Sequence, residues 1–183
     1  MVKLGLICEG ESESYIFDTD SFKAFLATLH IELIGIAETG SKNQYLGDRL
    51  IRYRQILLDQ GAEKIIALID LDRDACITVT KQNVLPFDNQ MVVVAVKEFE
   101  NWYLADTEAL SRLLGNQVHI DYPENDFEPF KTIAHLNRKG FGGSKPRLAM
   151  KMRANGFSVE RAAQHPNCPS ANYFLTKLQS LRP

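Results

Sequence analysis

Acidic side chains follow three of the four apolar runs that the sequence predicts as buried strands. They are Glu9 and Glu13 after the first run, Asp70, Asp72 and Asp74 after the third, and Glu98 and Glu100 after the fourth. Ligands of parallel α/β sheets bind outside the carboxyl ends of the strands, so these acids are expected to meet at one edge. Gathered carboxylates repel one another, and Mg²⁺ or Mn²⁺ relieves that repulsion through the oxygen ligands it prefers. The sequence therefore predicts a site for one or two divalent ions.

The spacing of the acids supports a shared site. Asp70 and Asp72 lie two residues apart, so an extended strand end points both to the same side. Glu9 and Glu13 face one pocket if Glu13 begins a helix, and Gly10 permits the tight turn between them. Each piece alone is also typical of helix caps, ion pairs or solvent-facing acids. The hypothesis therefore depends on the three acidic segments occurring together.

The elements that position these acids alternate between strands and helices. Apolar runs predict strands at residues 3–8, 31–37, 64–71 and 91–96, and helical spacing predicts a helix over residues 14–30 and another that ends at Gly61. The third and fourth runs are apolar throughout, as strands covered on both faces must be. This order predicts an α/β fold with a mostly parallel four-stranded sheet flanked by helices.

Beyond residue 100 the pattern predicts helices and loops only. A short helix is expected from Asp106 or Thr107 to Leu114, and a longer one from Ser144 to Asn155. Ser158 and Ser170 are expected to open two further short helices. We expect residues 1–115 to form the sheet domain and residues 116–183 a basic helical extension on or beside it.

Charge is distributed unevenly along a chain whose 183 residues are typical of one domain. Residues 1–130 contain 11 Lys and Arg against 22 Asp and Glu, whereas residues 131–183 contain 10 against Glu160 alone. This asymmetry predicts an anionic partner, nucleic acid first, although the basic part could also dock on the acidic part. The candidate nucleic-acid contacts are Arg138, Lys139, Lys145, Arg147, Lys151, Arg153 and Arg161. Arg147 and Lys151 could equally belong to an amphipathic helix packed on the acidic body.

Other function classes are disfavoured by the composition. The three cysteines are widely spaced, which excludes a thiolate zinc pattern and favours a reducing, cytoplasmic location. The apolar runs fall far short of the roughly 20 residues of a membrane span, and the start of the chain becomes acidic too early for a signal peptide. No membrane association is therefore expected.

The acidic segments resemble the Toprim domain, the metal-binding fold of topoisomerases, bacterial primases, recombination mediators and OLD (overcoming lysogenisation defect) family nucleases. The resemblance covers about residues 3–106: Glu9 matches the Toprim glutamate, and Asp70 and Asp72 match its Asp-x-Asp motif. Glu13, Asp74 and either Glu98 or Glu100 match the additional acids of the OLD branch, and Lys145 is the best match for its C-terminal lysine. The chain has no Walker motif and so resembles short stand-alone Toprim proteins, some of them linked to anti-phage systems.

The resemblance implies a metal-dependent nuclease of anti-phage defence or DNA repair, with DNA favoured over RNA and an ATPase as a candidate partner. It implies that Glu9 is a metal ligand and base, that Asp70 and Asp72 bind metal, and that Glu13, Asp74, Glu98 and Glu100 complete a second site. Lys145 would add positive charge near the scissile phosphate. Two alternatives stay open: a non-catalytic Toprim adaptor that binds nucleic acid, and a haloacid-dehalogenase-like phosphatase, whose Asp-x-Asp belongs near the first strand rather than the third.

Overall fold

The protein is an α/β structure built on a four-stranded sheet in which every neighbouring pair of strands is parallel. The computed structural model describes residues 1–45, 47–137 and 143–182, with the backbone only at Gln44 and Tyr45. The strands are β1 (Val2–Cys8), β2 (Ile31–Glu38), β3 (Lys64–Asp70) and β4 (Gln90–Ala95), in the order β2-β1-β3-β4. The predicted fold class and all four predicted strands are confirmed.

Helices cover both faces of the sheet. In chain order they are α1 (Glu11–Phe17), α2 (Asp20–Thr28), α3 (Lys42–Tyr45), α4 (Asp48–Asp59), α5 (Ile77–Asn83), α6 (Asn101–Ala105), α7 (Thr107–Leu114), α8 (Pro129–Leu136), α9 (Lys145–Ala154), α10 (Val159–Gln164) and α11 (Pro169–Gln179), with a 3-10 turn at Pro123–Asn125. No described helix has the length and apolarity that crossing a bilayer would demand. Cys8, Cys76 and Cys168 are free thiols.

The core has two layers because side chains alternate across each strand. Leu6 and Leu68 lie in one layer, under helices from both halves of the chain, and Phe174 of α11 lies in the same buried cluster. Ile7 and Ile69 lie in the other layer, under Leu57 of α4. The helices after residue 115 therefore share the sheet's core, and the boundary at residue 115 stays a prediction.

The segment predicted as one helix over residues 14–30 forms two. Asp18 and Thr19 leave the helical conformation, and the Thr19 hydroxyl accepts a hydrogen bond from the Phe22 backbone N–H. A threonine that caps a new helix competes locally with continuing the old one. The rings of Phe17 and Phe22 are in contact across the break, with 5.0 Å between their centroids. The two helices together therefore keep the apolar side that predicted a single helix.

Several predicted helix starts agree with the structure, and some helices were not predicted. The carboxylate of Asp106 caps α7 by accepting from the Ala109 N–H, and Ser144 and Ser158 cap α9 and α10 in the same way. The last helix begins at Pro169, one residue before the predicted Ser170. The short helices α5, α6 and α8 were not predicted because their seven, five and eight residues show no clear helical period and, unlike α7 and α10, they have no side-chain N-cap.

A Gly5→Ala substitution is expected to lower the free energy of unfolding by about 1–3 kcal/mol, the usual cost of overpacking a core. Gly5 and Gly35 are register partners on β1 and β2, and both lie under Leu57. A Cβ at Gly5 would lie 2.8 Å from Ile65 Cδ1 and 3.1 Å from Leu57 Cβ. Gly35→Ala is the matched comparison, since its nearest contacts are the ends of two flexible side chains. Urea denaturation should show the larger loss at Gly5, and an equal or larger loss at Gly35 would contradict this packing argument.

Candidate metal and nucleic-acid site

The candidate site lies where the strand order of the sheet reverses. The chain passes from β1 outward to β2 and then returns to place β3 on the other side of β1. In doubly wound sheets this switch point opens a crevice at the carboxyl ends of the two strands. Glu9 follows β1 and Asp70 ends β3, and the Asp70 backbone N–H donates to Glu9 Oε1 at 2.8 Å. The first two predicted ligands therefore meet in this crevice.

Four carboxylates form an inner cluster in the crevice: the half-buried Glu9 and the buried Glu13, Asp70 and Glu100. Glu13 comes from the first turn of α1, and Glu100 immediately precedes α6. Asp70 Oδ1 accepts from the Phe99 backbone N–H at 2.9 Å, which joins the end of β3 to the segment after β4. Glu13, Asp70 and Glu100 are all buried, so the polypeptide removes three like charges from water at one place.

The inner cluster is short of positive charge. Burial, together with repulsion by Asp72, raises the pKa of Glu9 to about 7 despite the hydrogen bond from Asp70. Burial and then repulsion from Glu100 raise the pKa of Glu13 to about 8. The pKa of Asp70 is raised well above its usual value, first by burial and then by Glu13 and Glu100. Carboxyls in a dry, like-charged site hold their protons unless a cation compensates them.

Lys145, the first residue of α9, supplies part of that compensation. Its Nζ lies 3.1 Å from Glu98 Oε2 and 3.2 Å from Glu100 Oε2. Burial alone would lower the pKa of Lys145, but attraction to Glu100, Glu98 and Asp70 outweighs it and the pKa is raised. The predicted lysine is therefore a charged member of the site rather than an ordinary surface lysine.

A second, outer cluster contains Asp72, Asp74 and Lys42. Lys42 Nζ is 2.9 Å from Asp74 Oδ2 and 3.5 Å from Asp72 Oδ2, and it donates at 2.8 Å to the carbonyl oxygens of Asp70 and Leu71. Hydrogen bonds from Thr80 and Lys42 lower the pKa of Asp74. Lys42 thus ties the carboxyl end of β3 to the segment that follows β2.

The backbone at Asp72 differs from the extended conformation that the sequence argument assumed. Asp72 has φ 52° and Lys97 has φ 63°, the left-handed region that side chains disfavour, and the Asp72 N–H donates to the Lys97 carbonyl at 2.7 Å. The expectation that strand alternation aligns Asp70 with Asp72 is therefore wrong: Asp70 is held in the inner cluster and Asp72 faces Lys42. Conformations of this kind cost about 1–3 kcal/mol and concentrate at functional sites.

The chemistry of this donor set suits a hard divalent cation. Every anionic group in the two clusters is a carboxylate, and two ammonium groups already stand in as cations among them. As the described side chains stand, no three of the His, Cys, Asp or Glu residues are close enough to hold one ion. Metal binding therefore requires these side chains to move closer together, and an ion bound by Asp74 or Glu100 would also displace the lysine that is now paired with that carboxylate.

Sequence reasoning missed two groups at the site. Lys42 follows the carboxyl end of β2, the one strand that no acidic candidate follows in the prediction. Ligands of parallel sheets bind at the carboxyl ends of all the strands, so this position signalled Lys42 as well. The Tyr103 hydroxyl is buried without a hydrogen-bond partner among the described residues, and burial, Glu100, Glu13 and Asp70 raise its pKa. Trp102 and Tyr103 are core residues, and the Tyr103 hydroxyl also lies close enough to the inner carboxylates to be affected by their charge.

The predicted basic residues lie in three settings. Lys145 is in the inner site, whereas Arg147, Lys151 and Arg153 are exposed on α9, whose opposite side buries Leu148 and Met152. Arg161 forms ion pairs with Asp106 and Glu108, so its charge is used within the fold. Arg138 and Lys139 fall outside the described residues. Helix α9 is thus an amphipathic helix packed on the acidic body, and it also presents an exposed basic side.

The fold and the site define a class: an α/β protein with a parallel sheet that carries an acidic centre at its switch point. Comparison with protein-family models, with curated proteins and with solved structures found no match for this chain.

The metal-free protein is expected to lose stability as the pH rises from about 5 to 8.5. The unfolded glutamates lose their protons near pH 4.5, whereas folded Glu9 and Glu13 hold theirs to about 7 and 8, so the folded state is penalised across that window. One pKa unit corresponds to about 1.4 kcal/mol, and we expect a loss of at least about 2 kcal/mol, or ~4–8 °C in Tm. Thermal unfolding across this pH range in EDTA measures the loss of stability. The same measurement in Mn²⁺ should show that the metal restores most of it.

Glu13→Gln is expected to flatten this pH profile, because the amide has no proton to lose. Glu11→Gln is the matched control, since Glu11 belongs to the same helix but is exposed. A profile that rises from pH 5 to 8.5, or that Glu11→Gln changes as much as Glu13→Gln does, would contradict the assignment of charge stress to the inner cluster.

Proposed function

We propose that this protein is a divalent-metal-dependent phosphodiester hydrolase that acts on nucleic acid, the activity implied by its resemblance to Toprim nucleases of the OLD type. The observation that supports it most is the buried inner cluster at the switch point, where carboxylates from three strand ends meet with too few cations. A purely structural role does not require so many buried like charges, which cost stability unless compensated. A metal site provides the reason to retain them.

The proposal gives the chain's own residues distinct roles. Glu9, Glu13, Asp70 and Glu100 of the inner cluster would hold a first ion, and Asp72 and Asp74 of the outer cluster would contribute with Glu98 to a second. Bound divalent metal supplies an activated water and stabilises the charge that builds on the phosphate. Lys145 brings a positive charge to the same place on a helix N-terminus, where an anion is favoured.

The position of α9 supports nucleic acid as the substrate class. The helix begins in the acidic site with Lys145 and continues outward with the exposed Arg147, Lys151 and Arg153. Arg147 and Lys151 lie four residues apart on the same side of the helix, and basic side chains spaced in this way hold phosphates without reading the base sequence. A nucleic-acid strand that lies along α9 would therefore enter the crevice. Its binding to the protein should weaken steeply as the salt concentration rises.

The proposal is tested by incubating the full chain with supercoiled plasmid, single-stranded DNA and RNA, each in Mg²⁺, Mn²⁺ or EDTA. Cleavage that needs metal and is lost in Asp70→Ala/Asp72→Ala is expected. The chain provides a matched control in Asp18 and Asp20, a second Asp-x-Asp pair that is exposed beyond the far end of α1. Asp18→Ala/Asp20→Ala should retain full activity. Cleavage in EDTA, or cleavage by the first double variant, would overturn the proposal, and binding without cleavage of any substrate would favour the adaptor.

A further inference from the structure

We propose that Phe127 is a stacking platform for an unpaired base, so that the substrate of the site is single-stranded nucleic acid or the unpaired part of a duplex. This inference rests on the proposed function and names its substrate class. Phe127 is 69 % exposed, an unusual state for the largest apolar side chains in a cleft. It lines a cavity of about 690 Å³ together with Asp72, Asp74, Glu98 and Lys145. An aromatic ring thus stands open to solvent in the same cavity as three of the candidate metal ligands and Lys145.

The ring is tied to the acidic site through Lys97. Lys97 Nζ lies 3.9 Å from the centre of the Phe127 ring, a cation–π contact. The backbone of Lys97 is in the left-handed conformation, and its carbonyl accepts from the Asp72 N–H. The residue that holds the ring is therefore hydrogen-bonded to the loop of the Asp-x-Asp motif, which sets the distance between ring and carboxylates.

The segment that carries Phe127 is also held in place. The side-chain amide of the buried Asn101 donates to the carbonyls of Pro123 at 2.6 Å and Asp126 at 2.9 Å. Asp126 Oδ1 accepts from the Glu128 N–H at 2.8 Å, directly across Phe127. Asn101 follows Glu100 and accepts from the Glu98 N–H. One buried side chain therefore positions both the exposed ring and two of the candidate ligands.

The occupant is argued from charge and shape. The same cavity is lined by Arg73, Lys97 and Lys131, of which Lys97 lies against the ring and Lys131 is paired with Glu128, so cations as well as carboxylates line the cavity around the ring. Cations suit a phosphate backbone and an exposed ring suits a base, and this pairing is typical of single-strand binding grooves. In a duplex the base faces are stacked on one another and cannot reach the ring. The arrangement therefore favours an unpaired nucleotide next to the reacting phosphate.

The test measures binding of the full chain in EDTA by fluorescence anisotropy to four labelled probes of equal length: single-stranded DNA, RNA of the same sequence, a hairpin duplex whose loop consists of abasic spacers, and an abasic strand that retains the phosphates. Phe127→Ala is expected to weaken binding of the stronger single-stranded probe by about 10-fold, within the range of base–aromatic stacking. Phe127→Trp should preserve it. The hairpin and the abasic strand should respond less than about 2-fold, because neither provides a base to stack.

Tyr122→Ala is the matched control, since Tyr122 is 61 % exposed five residues earlier but does not line the cavity. It should bind all four probes as the wild type does. Unchanged single-strand affinity in Phe127→Ala, or an equal loss for the abasic strand, would overturn the platform. Metal-dependent cleavage that is independent of Phe127 would reject the platform and leave the nuclease, whereas Phe127-dependent binding without any cleavage would reject the nuclease and leave the platform. A wild type that binds no probe in EDTA and cleaves none in Mg²⁺ or Mn²⁺ would reject both.

Discussion

An Asp70→Asn substitution is expected to abolish metal-dependent cleavage while making the metal-free protein more stable at pH 8. Asparagine keeps the oxygen that accepts the Phe99 N–H and replaces the other oxygen with an amide that can donate to neighbouring carboxylates. It therefore removes one buried negative charge from a cluster that repels it, at nearly constant shape. Loss of a metal ligand should lower cleavage by roughly 10³-fold or more, because metal stabilisation of the transition state is worth several kcal/mol.

The stability gain depends on pH in a direction that follows from the raised pKa of Asp70. At acid pH the wild-type carboxyl is protonated in both folded and unfolded protein, and the two proteins should be alike. As the pH rises, the unfolded wild type loses this proton first, and only the wild type is penalised. Relief of an undercompensated buried charge should contribute about 2 kcal/mol at pH 8, or about 4–8 °C in Tm.

The matched control for this result is Asp18→Asn, which removes an exposed carboxylate paired with Lys23. It should leave cleavage intact and change the free energy of unfolding by less than about 1 kcal/mol, as surface ion pairs do. Thermal unfolding in EDTA at about pH 3, below the ordinary pKa of an aspartate, and at about pH 8, together with cleavage in Mn²⁺, measures both effects. If Asp70→Asn is less stable than the wild type at pH 8, Asp70 serves the fold and the charge argument fails.

Replacing Lys145 with methionine is expected to lower cleavage by about 10²–10³-fold, the usual loss when one preorganised group that stabilises developing negative charge is removed. Methionine keeps much of the aliphatic length of the side chain. Binding of Mn²⁺ should be retained or become tighter, because the ammonium group no longer competes for Glu98 and Glu100. Titration calorimetry with Mn²⁺ and cleavage rates at saturating metal separate the two effects.

Lys145→Met has a second signature in the metal-free protein. The buried Glu100 loses its nearest cation, so the variant should be less stable than the wild type at about pH 8 and recover when metal is added. Lys151→Met, an exposed position on the same helix, is the control and should change cleavage by a few-fold at most. Unaltered cleavage in Lys145→Met would assign Lys145 to the fold alone.

The amino-acid sequence alone determined the parallel sheet and the acidic edge. Strands β3 and β4 are apolar at nearly every position, which only burial on both faces explains, and the alternation with helices excludes an antiparallel arrangement. Once the strands are parallel, their carboxyl ends lie on one side, so Glu9, Asp70 and Glu98 could be placed together without a structure. These conclusions rest on apolar residues that repeat every two residues in a strand and about every 3.6 residues in a helix, and a short stretch of sequence is enough to show either repeat.

Only the tertiary structure decided which acids are buried together and what compensates them. The inner cluster of Glu9, Glu13, Asp70 and Glu100 depends on the reversal of strand order between β1 and β3. Lys42 reaches the outer cluster from the segment that follows β2, and it is far along the chain from Asp72 and Asp74. The left-handed backbone at Asp72, which sends its side chain toward Lys42 instead of Asp70, depends on the partner carbonyl of Lys97. Strand and helix periods come from neighbours in the chain, whereas desolvation and charge interactions come from every group packed around a side chain. The sequence could therefore locate the site, and only the packed molecule could set its electrostatics.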